Sequence, residues 1–161
     1  MTTPLFAQSS STQNQSSVLP LYEQDYVSWL ETTAHLLREG KLNQLDLAHL
    51  AEELEDMGKR EKRSVESNLE VILMHLLKYQ YQPELRSNSW RFTILEHRDR
   101  LEKLFRDSPS LKPFFESVFE ACYTRARKKA AVETGLSLEL FPSSSPFTLD
   151  ETLNPDFLPE S

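Results

Sequence analysis

The stretch from about Asp46 to about Gln80 constrains the fold more than any other part of the chain. Leu47, Leu50, Ala51, Leu54 and Met57 recur at spacings of 3 and 4, the period of one helix face. The pattern lapses over Gly58-Lys59-Arg60-Glu61-Lys62-Arg63-Ser64, which carries no apolar side chain. It resumes at Val65, Leu69, Ile72, Leu73, Leu76 and Leu77. Asp46 is well placed to cap the first half. The pattern fits one helix kinked near Gly58 or two helices meeting there. Val71 and Met74 widen the later stripe until it is apolar nearly all round. That half is expected to be the most buried element.

Other helices read the same way. Tyr22, Tyr26, Trp29, Leu30, Thr33 and Leu37 share one face of a first helix over about Glu23 to Glu39, and Gly40 supplies a left-handed stop. After Pro83, Ser87 or Ser89 can cap a helix holding Trp90, Ile94, His97, Leu101, Leu104 and Phe105. Asp107-Ser108-Pro109 breaks it. A further helix carries Leu111, Phe114, Phe115, Val118, Phe119, Cys122, Tyr123, Ala126 and Ala130, and ends at Gly135. Pro142, Pro146, Pro155 and Pro159 then punctuate a tail in which Thr148-Leu149-Asp150-Glu151 reads as a capping box for one helical turn. Phe141, Phe147, Leu153, Phe157 and Leu158 predict that this tail lies against the bundle.

Composition agrees with an all-α chain. Three glycines among 161 residues argue against a turn-rich β fold. The single cysteine excludes an intrachain disulfide and a cysteine-based metal site. No apolar run approaches the roughly 20 residues of a membrane span, and the N-terminus has neither a basic region nor a sustained apolar run. A cytoplasmic protein is expected. The net charge is −7, and from Glu133 onward six acidic residues stand without Lys or Arg. Attraction of the whole molecule to nucleic acid is therefore not expected. The expected organisation is a disordered Ser/Gln-rich arm over residues 1–19, one bundle domain of four to five main helices over 20–135, and an irregular, acidic, Pro-rich tail over 136–161 packed on it.

Several stretches are familiar: Leu21-Tyr22-Glu23-Gln24-Asp25-Tyr26, then Leu45-Asp46-Leu47-Ala48-His49-Leu50-Ala51-Glu52-Glu53-Leu54-Glu55-Asp56-Met57-Gly58, then His75-Leu76-Leu77-Lys78-Tyr79-Gln80-Tyr81-Gln82-Pro83. Ser89-Trp90-Arg91, Glu133-Thr134-Gly135-Leu136 and Pro155-Asp156-Phe157-Leu158-Pro159 continue the series. On these residues the chain resembles the bacterial family called domain of unknown function family 29, numerous in cyanobacteria. The resemblance implies an all-helical fold of nearly this length. It implies no activity and no catalytic residue.

Three constellations could carry chemistry. His49, Glu52, Glu53 and Asp56 form the densest polar cluster. His49 with Glu53, and Glu52 with Asp56, are i,i+4 pairs able to offer two ligands each to Mg²⁺ or Mn²⁺. Glu-Glu-x-x-Asp here loosely resembles the Glu-Glu-x-x-Glu of all-helical nucleotide pyrophosphohydrolases. Asp56 departs from that motif, and the matching Glu96-His97-Arg98-Asp99 stands far along the chain. The plainer reading is a solvated acidic face beside the Leu47/Leu50/Leu54 stripe. The four histidines could meet in a bundle, but no spacing requires it. Trp90, Arg91 and Arg98 on a basic helix could contact phosphate or a nucleic-acid strand. Arg125-Ala126-Arg127-Lys128-Lys129 adds a second basic patch, with pairing to the acidic tail the expected outcome. Cys122 is expected to be a core thiol.

No catalytic signature and no glycine-rich phosphate loop appears. The leading expectation is thus a non-enzymatic helical module acting through an unknown protein partner or self-association, without cofactor. The alternatives are a Mg- or Mn-dependent enzyme or ligand binder on the His49 face, and nucleotide or nucleic-acid binding through the basic helix.

Overall fold

The structure, a computed structural model, describes residues 19–160. The arm expected over residues 1–19 falls outside them, except for Leu19. Six α-helices and three short 3₁₀ turns make up the described chain: α1 (Leu19–Gln24), α2 (Tyr26–Arg38), α3 (Leu47–Tyr81), α4 (Asn88–Asp107), α5 (Leu111–Thr134) and α6 (Leu149–Leu153). No strand occurs among the described residues, so the all-α class stands.

One compact unit ends at Asp56 and the next begins at Met57. The boundary falls inside α3, which is continuous for 35 residues. Gly58 therefore does not end the helix, and of the two readings the one with two helices meeting there is corrected. A single interior glycine costs about 1 kcal/mol, and the Lys, Arg and Glu that follow are good helix formers needing no buried face.

In the first unit the single helix expected over 23–39 is divided. The Asp25 carboxylate accepts from the Ser28 amide at 3.0 Å and starts α2 afresh, leaving α1 as a short helix before it. Gly40 takes φ 68° and ends this segment. Asp46 caps α3 through the His49 amide at 3.2 Å. Trp29 and Thr33 are buried, whereas Leu30 and Leu37 of the same expected face are exposed.

In the second unit, Val65, Leu69, Ile72, Leu73, Leu76 and Leu77 of α3 are all fully buried, as the widened stripe predicts. They pack in one cluster with Ile94, Leu101 and Phe105 of α4 and with Phe115, Phe119, Cys122 and Tyr123 of α5. Ser87 caps α4 through the Trp90 amide, and Gly135 ends α5 at φ 71°. The residues after Gly135 belong to this core. Phe141 and Phe147 are buried in it, Tyr123 donates its hydroxyl to the Pro142 carbonyl at 2.7 Å, and Thr148 and Glu151 form the capping box of α6.

Candidate functional site

The acidic stretch of α3 does not fan wholly into solvent. Glu53 is only 8 % exposed, and both its oxygens are occupied. Tyr22 of α1 donates to one at 2.7 Å, and Tyr26 of α2 to the other at 2.6 Å. The two phenols come from separate helices, α1 and α2, on either side of the Asp25 cap. The hydrogen bond to Glu53 pushes the Tyr22 hydroxyl up to about 12.

His49 lies one turn before Glu53. Its ring stacks on Tyr22, with centroids 4.2 Å apart, and its Nδ1 meets Asp46 Oδ2 at 2.5 Å. That contact raises the His49 pKa above the ordinary imidazole range and lowers that of Asp46. Trp29 packs edge-on to Tyr22 at 4.8 Å. Its buried indole N–H finds no acceptor among the described residues, an unmet donor that works against the stability of this small unit.

The expectation of a wholly solvated acidic face is therefore corrected at Glu53. Two tyrosines from the preceding helices satisfy the carboxylate, and of the aliphatic stripe Leu47 and Leu54 are 64 % and 62 % exposed while Leu50 is half-buried. Glu52 is exposed and Asp56 half-buried. Among the described residues, no three His, Cys, Asp or Glu side chains come together as a metal-holding group. An Asp46–His49 pair has the form of an orienting acid and a base. No hydroxyl or thiol among the described residues hydrogen-bonds His49.

The other histidines are held separately. His35 pairs with Glu39, His75 Nδ1 donates to the Val71 carbonyl at 2.9 Å, and His97 Nδ1 faces Asn68 Oδ1 at 2.7 Å. Burial lowers the pKa of both His75 and His97. Glu96, the start of the loosely matching Glu-x-x-Asp, pairs with Arg100 at 2.6 Å.

The three residues proposed for phosphate do different work. Lys78 Nζ sits 4.6 Å over the Trp90 ring. Arg91 is exposed on the wall of a groove of about 370 Å³ that Arg98 also lines. Arg98 itself is 4 % exposed, and its donors are committed to the tail: Nε to the Thr152 carbonyl at 2.8 Å, Nη1 to Phe157 at 3.0 Å and Nη2 to Glu151 at 3.0 Å. Three of the five Arg98 N–H donors thus satisfy backbone acceptors.

The basic end of α5 also turns inward, Arg125 and Lys129 toward acids of α3 and Arg127 toward backbone carbonyls of the tail. Glu70, 8 % exposed, takes Lys129 at 2.5 Å and Arg125, and Arg125 reaches Glu66 at 3.0 Å. Arg127 donates to the Phe141 and Leu138 carbonyls. Cys122 is buried, and burial pushes its thiol up to about 11, which suits a core residue and not a nucleophile.

Tyr22, Tyr26 and Asp46 are the site residues that sequence reasoning missed. The spacing of the tyrosines was the available signal, since a phenol packed against the fold calls for an acceptor, although the two stand on separate helices.

The family described as Domain of unknown function DUF29 matches residues 21–158, and the chain belongs to it. No curated protein and no solved structure matches.

Proposed function

We propose that this DUF29 member is a non-enzymatic, cytoplasmic helical module that acts through protein–protein contact. The observation that carries the reading is the orientation of α3 in the first unit. The aliphatic Leu47 and Leu54 face outward while Glu53 is turned in and hydrogen-bonded by two phenols. A helix that turns Glu53 in and leaves Leu47 and Leu54 exposed offers apolar surface for a partner to cover. The candidate groups elsewhere support the same view, because Arg98, Arg125, Lys129 and Cys122 are engaged within the fold. No helix of the described residues is long and apolar enough to cross a membrane.

The test is affinity capture from the native cell with the intact chain and with a Leu47→Gln/Leu54→Gln variant. Both positions are open to solvent, so the variant is expected to keep its helical circular dichroism. A specific partner that the variant loses supports the module. An identical partner set from both chains refutes it. A rise in Tm with Mn²⁺ or Mg²⁺ that Glu53→Ala abolishes would restore the metal alternative.

A further inference from the structure

Asn88, Arg91, Phe92 and Leu95 of α4 recur at spacings of 3 and 4, so they share one helix face. That face lines one side of the groove of about 370 Å³, and Pro155, Asp156 and Leu158 of the C-terminal segment line the other. A cavity of that size falls in the range of small-molecule sites, about 300–1,000 Å³. Its two sides are tied together. Arg98 of α4 donates to the carbonyl of Phe157, the residue between Asp156 and Leu158, at 3.0 Å, and to that of Thr152 at 2.8 Å. A groove whose sides are fixed before anything enters needs little ordering on binding.

The polar groups of this groove are unspent. Among the described residues the side chains of Asn88, Arg91 and Asp156 make no hydrogen bond or ion pair, and Arg98 keeps two of its five N–H donors. Arg91 and Asp156 thus carry opposite charges on opposing sides of one cavity and do not pair with each other. The apolar lining is uncovered as well, with Phe92 65 % exposed and Leu95 44 %. A phosphate dianion would meet Arg91 against the repulsion of Asp156, and would leave that apolar lining bare.

We infer that the groove binds a small zwitterion with an apolar side chain, the chemistry of a free amino acid such as leucine or phenylalanine. Its carboxylate meets Arg91, its ammonium meets Asp156, and its side chain covers Phe92 and Leu95. The Asn88 amide can donate to one charged end or accept from the other. The site lies within the second unit and does not depend on the protein-contact reading above.

The test is calorimetric titration of the full chain with leucine and phenylalanine, beside N-acetyl-leucine, which lacks the ammonium, and leucine amide, which lacks the carboxylate. The amino acids are expected to bind with a Kd of about 0.1 mM, ordinary for so few non-hydrogen atoms, and each blocked form about tenfold more weakly. Arg91→Gln and Asp156→Asn change exposed side chains and are expected to keep the helical circular dichroism. Each should weaken leucine about tenfold, and Asp156→Asn should not weaken N-acetyl-leucine. No binding of either amino acid at millimolar concentration overturns the inference. Undiminished binding of leucine to either variant overturns it too, because the charge removed is then not one that holds the ligand. If N-acetyl-leucine binds as tightly as leucine, the groove reads a carboxylate alone; if leucine amide does, it reads an ammonium alone, and either result refutes the zwitterion.

Discussion

Replacing Arg98 should loosen the C-terminal segment from the second unit. The guanidinium is buried against three backbone carbonyls at 2.8–3.0 Å, two of them, Glu151 and Thr152, in the last turn of α6. Those carbonyls have no partner inside so short a helix, and Arg98 supplies one for each. Burial holds the Arg98 pKa down near about 10, so the group remains charged at neutral pH and its bonds are charge-assisted. A hydrogen bond from a charged donor contributes about 1.5–3 kcal/mol net, so three acting independently would exceed 4 kcal/mol. In the truncated protein, water can reach the Glu151 and Phe157 carbonyls, whose residues are only half-buried, and recover part of that. Arg98→Ala should therefore cost about 3 kcal/mol. Arg98→Lys keeps the charge but not the fork, and should cost about 2 kcal/mol. Two units make a single global transition unsafe, so urea unfolding should be followed at Trp90, which lies in the second. Limited proteolysis of residues 136–160 gives the second readout. A loss below about 1 kcal/mol with tail cleavage unchanged would refute the reasoning, because buried charged donors cannot be removed that cheaply if they hold the tail.

Other outcomes follow from the same geometry. In Glu53→Gln the Tyr22 hydroxyl should titrate closer to 10 than its present value of about 12, read by ultraviolet absorbance; no change would deny the phenol–carboxylate bond. By NMR, His49 should titrate above 6.5 and His75 and His97 below it, and Asp46→Asn should bring His49 down; a common midpoint for all of them would contradict the described contacts. The signs matter for stability. The raised His49 contributes fully below pH 6.5 and loses its contribution as pH climbs through its folded pKa. The lowered His75 and His97 do the reverse and weaken the second unit as pH falls below 6.5. Gly58→Ala should stabilise by about 0.5–1 kcal/mol in thermal unfolding, since its Cβ meets nothing within 4 Å in a continuous helix; destabilisation would mean that α3 is not helical there. Gly135→Ala should instead cost about 1 kcal/mol, because φ 71° strains any residue with a Cβ.

What the sequence made legible was local. The stripe from Val65 to Leu77, the caps at Asp46 and Ser87, the stops at Gly40 and Gly135 and the box at Thr148–Glu151 depend on neighbours within a turn or two. They emerge as expected. The candidate site was legible only in its residue types. Glu53 is buried because phenols 31 and 27 positions away answer it, and Leu47 and Leu54 are exposed as the other side of that orientation. Periodicity shows that α3 has two faces but not which one is turned in. Arg98 was illegible for a different reason. Its partners are carbonyls 53, 54 and 59 positions away, and a backbone acceptor leaves no mark on the sequence.

The chain has two tryptophans, and they fall one to each unit: Trp29 enclosed among tyrosine rings, Trp90 beneath the Lys78 ammonium. The molecule thus carries an intrinsic fluorophore on either side of the boundary in α3, in unlike settings. Emission from a Trp90→Phe chain reports the first unit alone, and from a Trp29→Phe chain the second. A ligand that moves one band and leaves the other still has declared, without any added label, which half of the protein it engages.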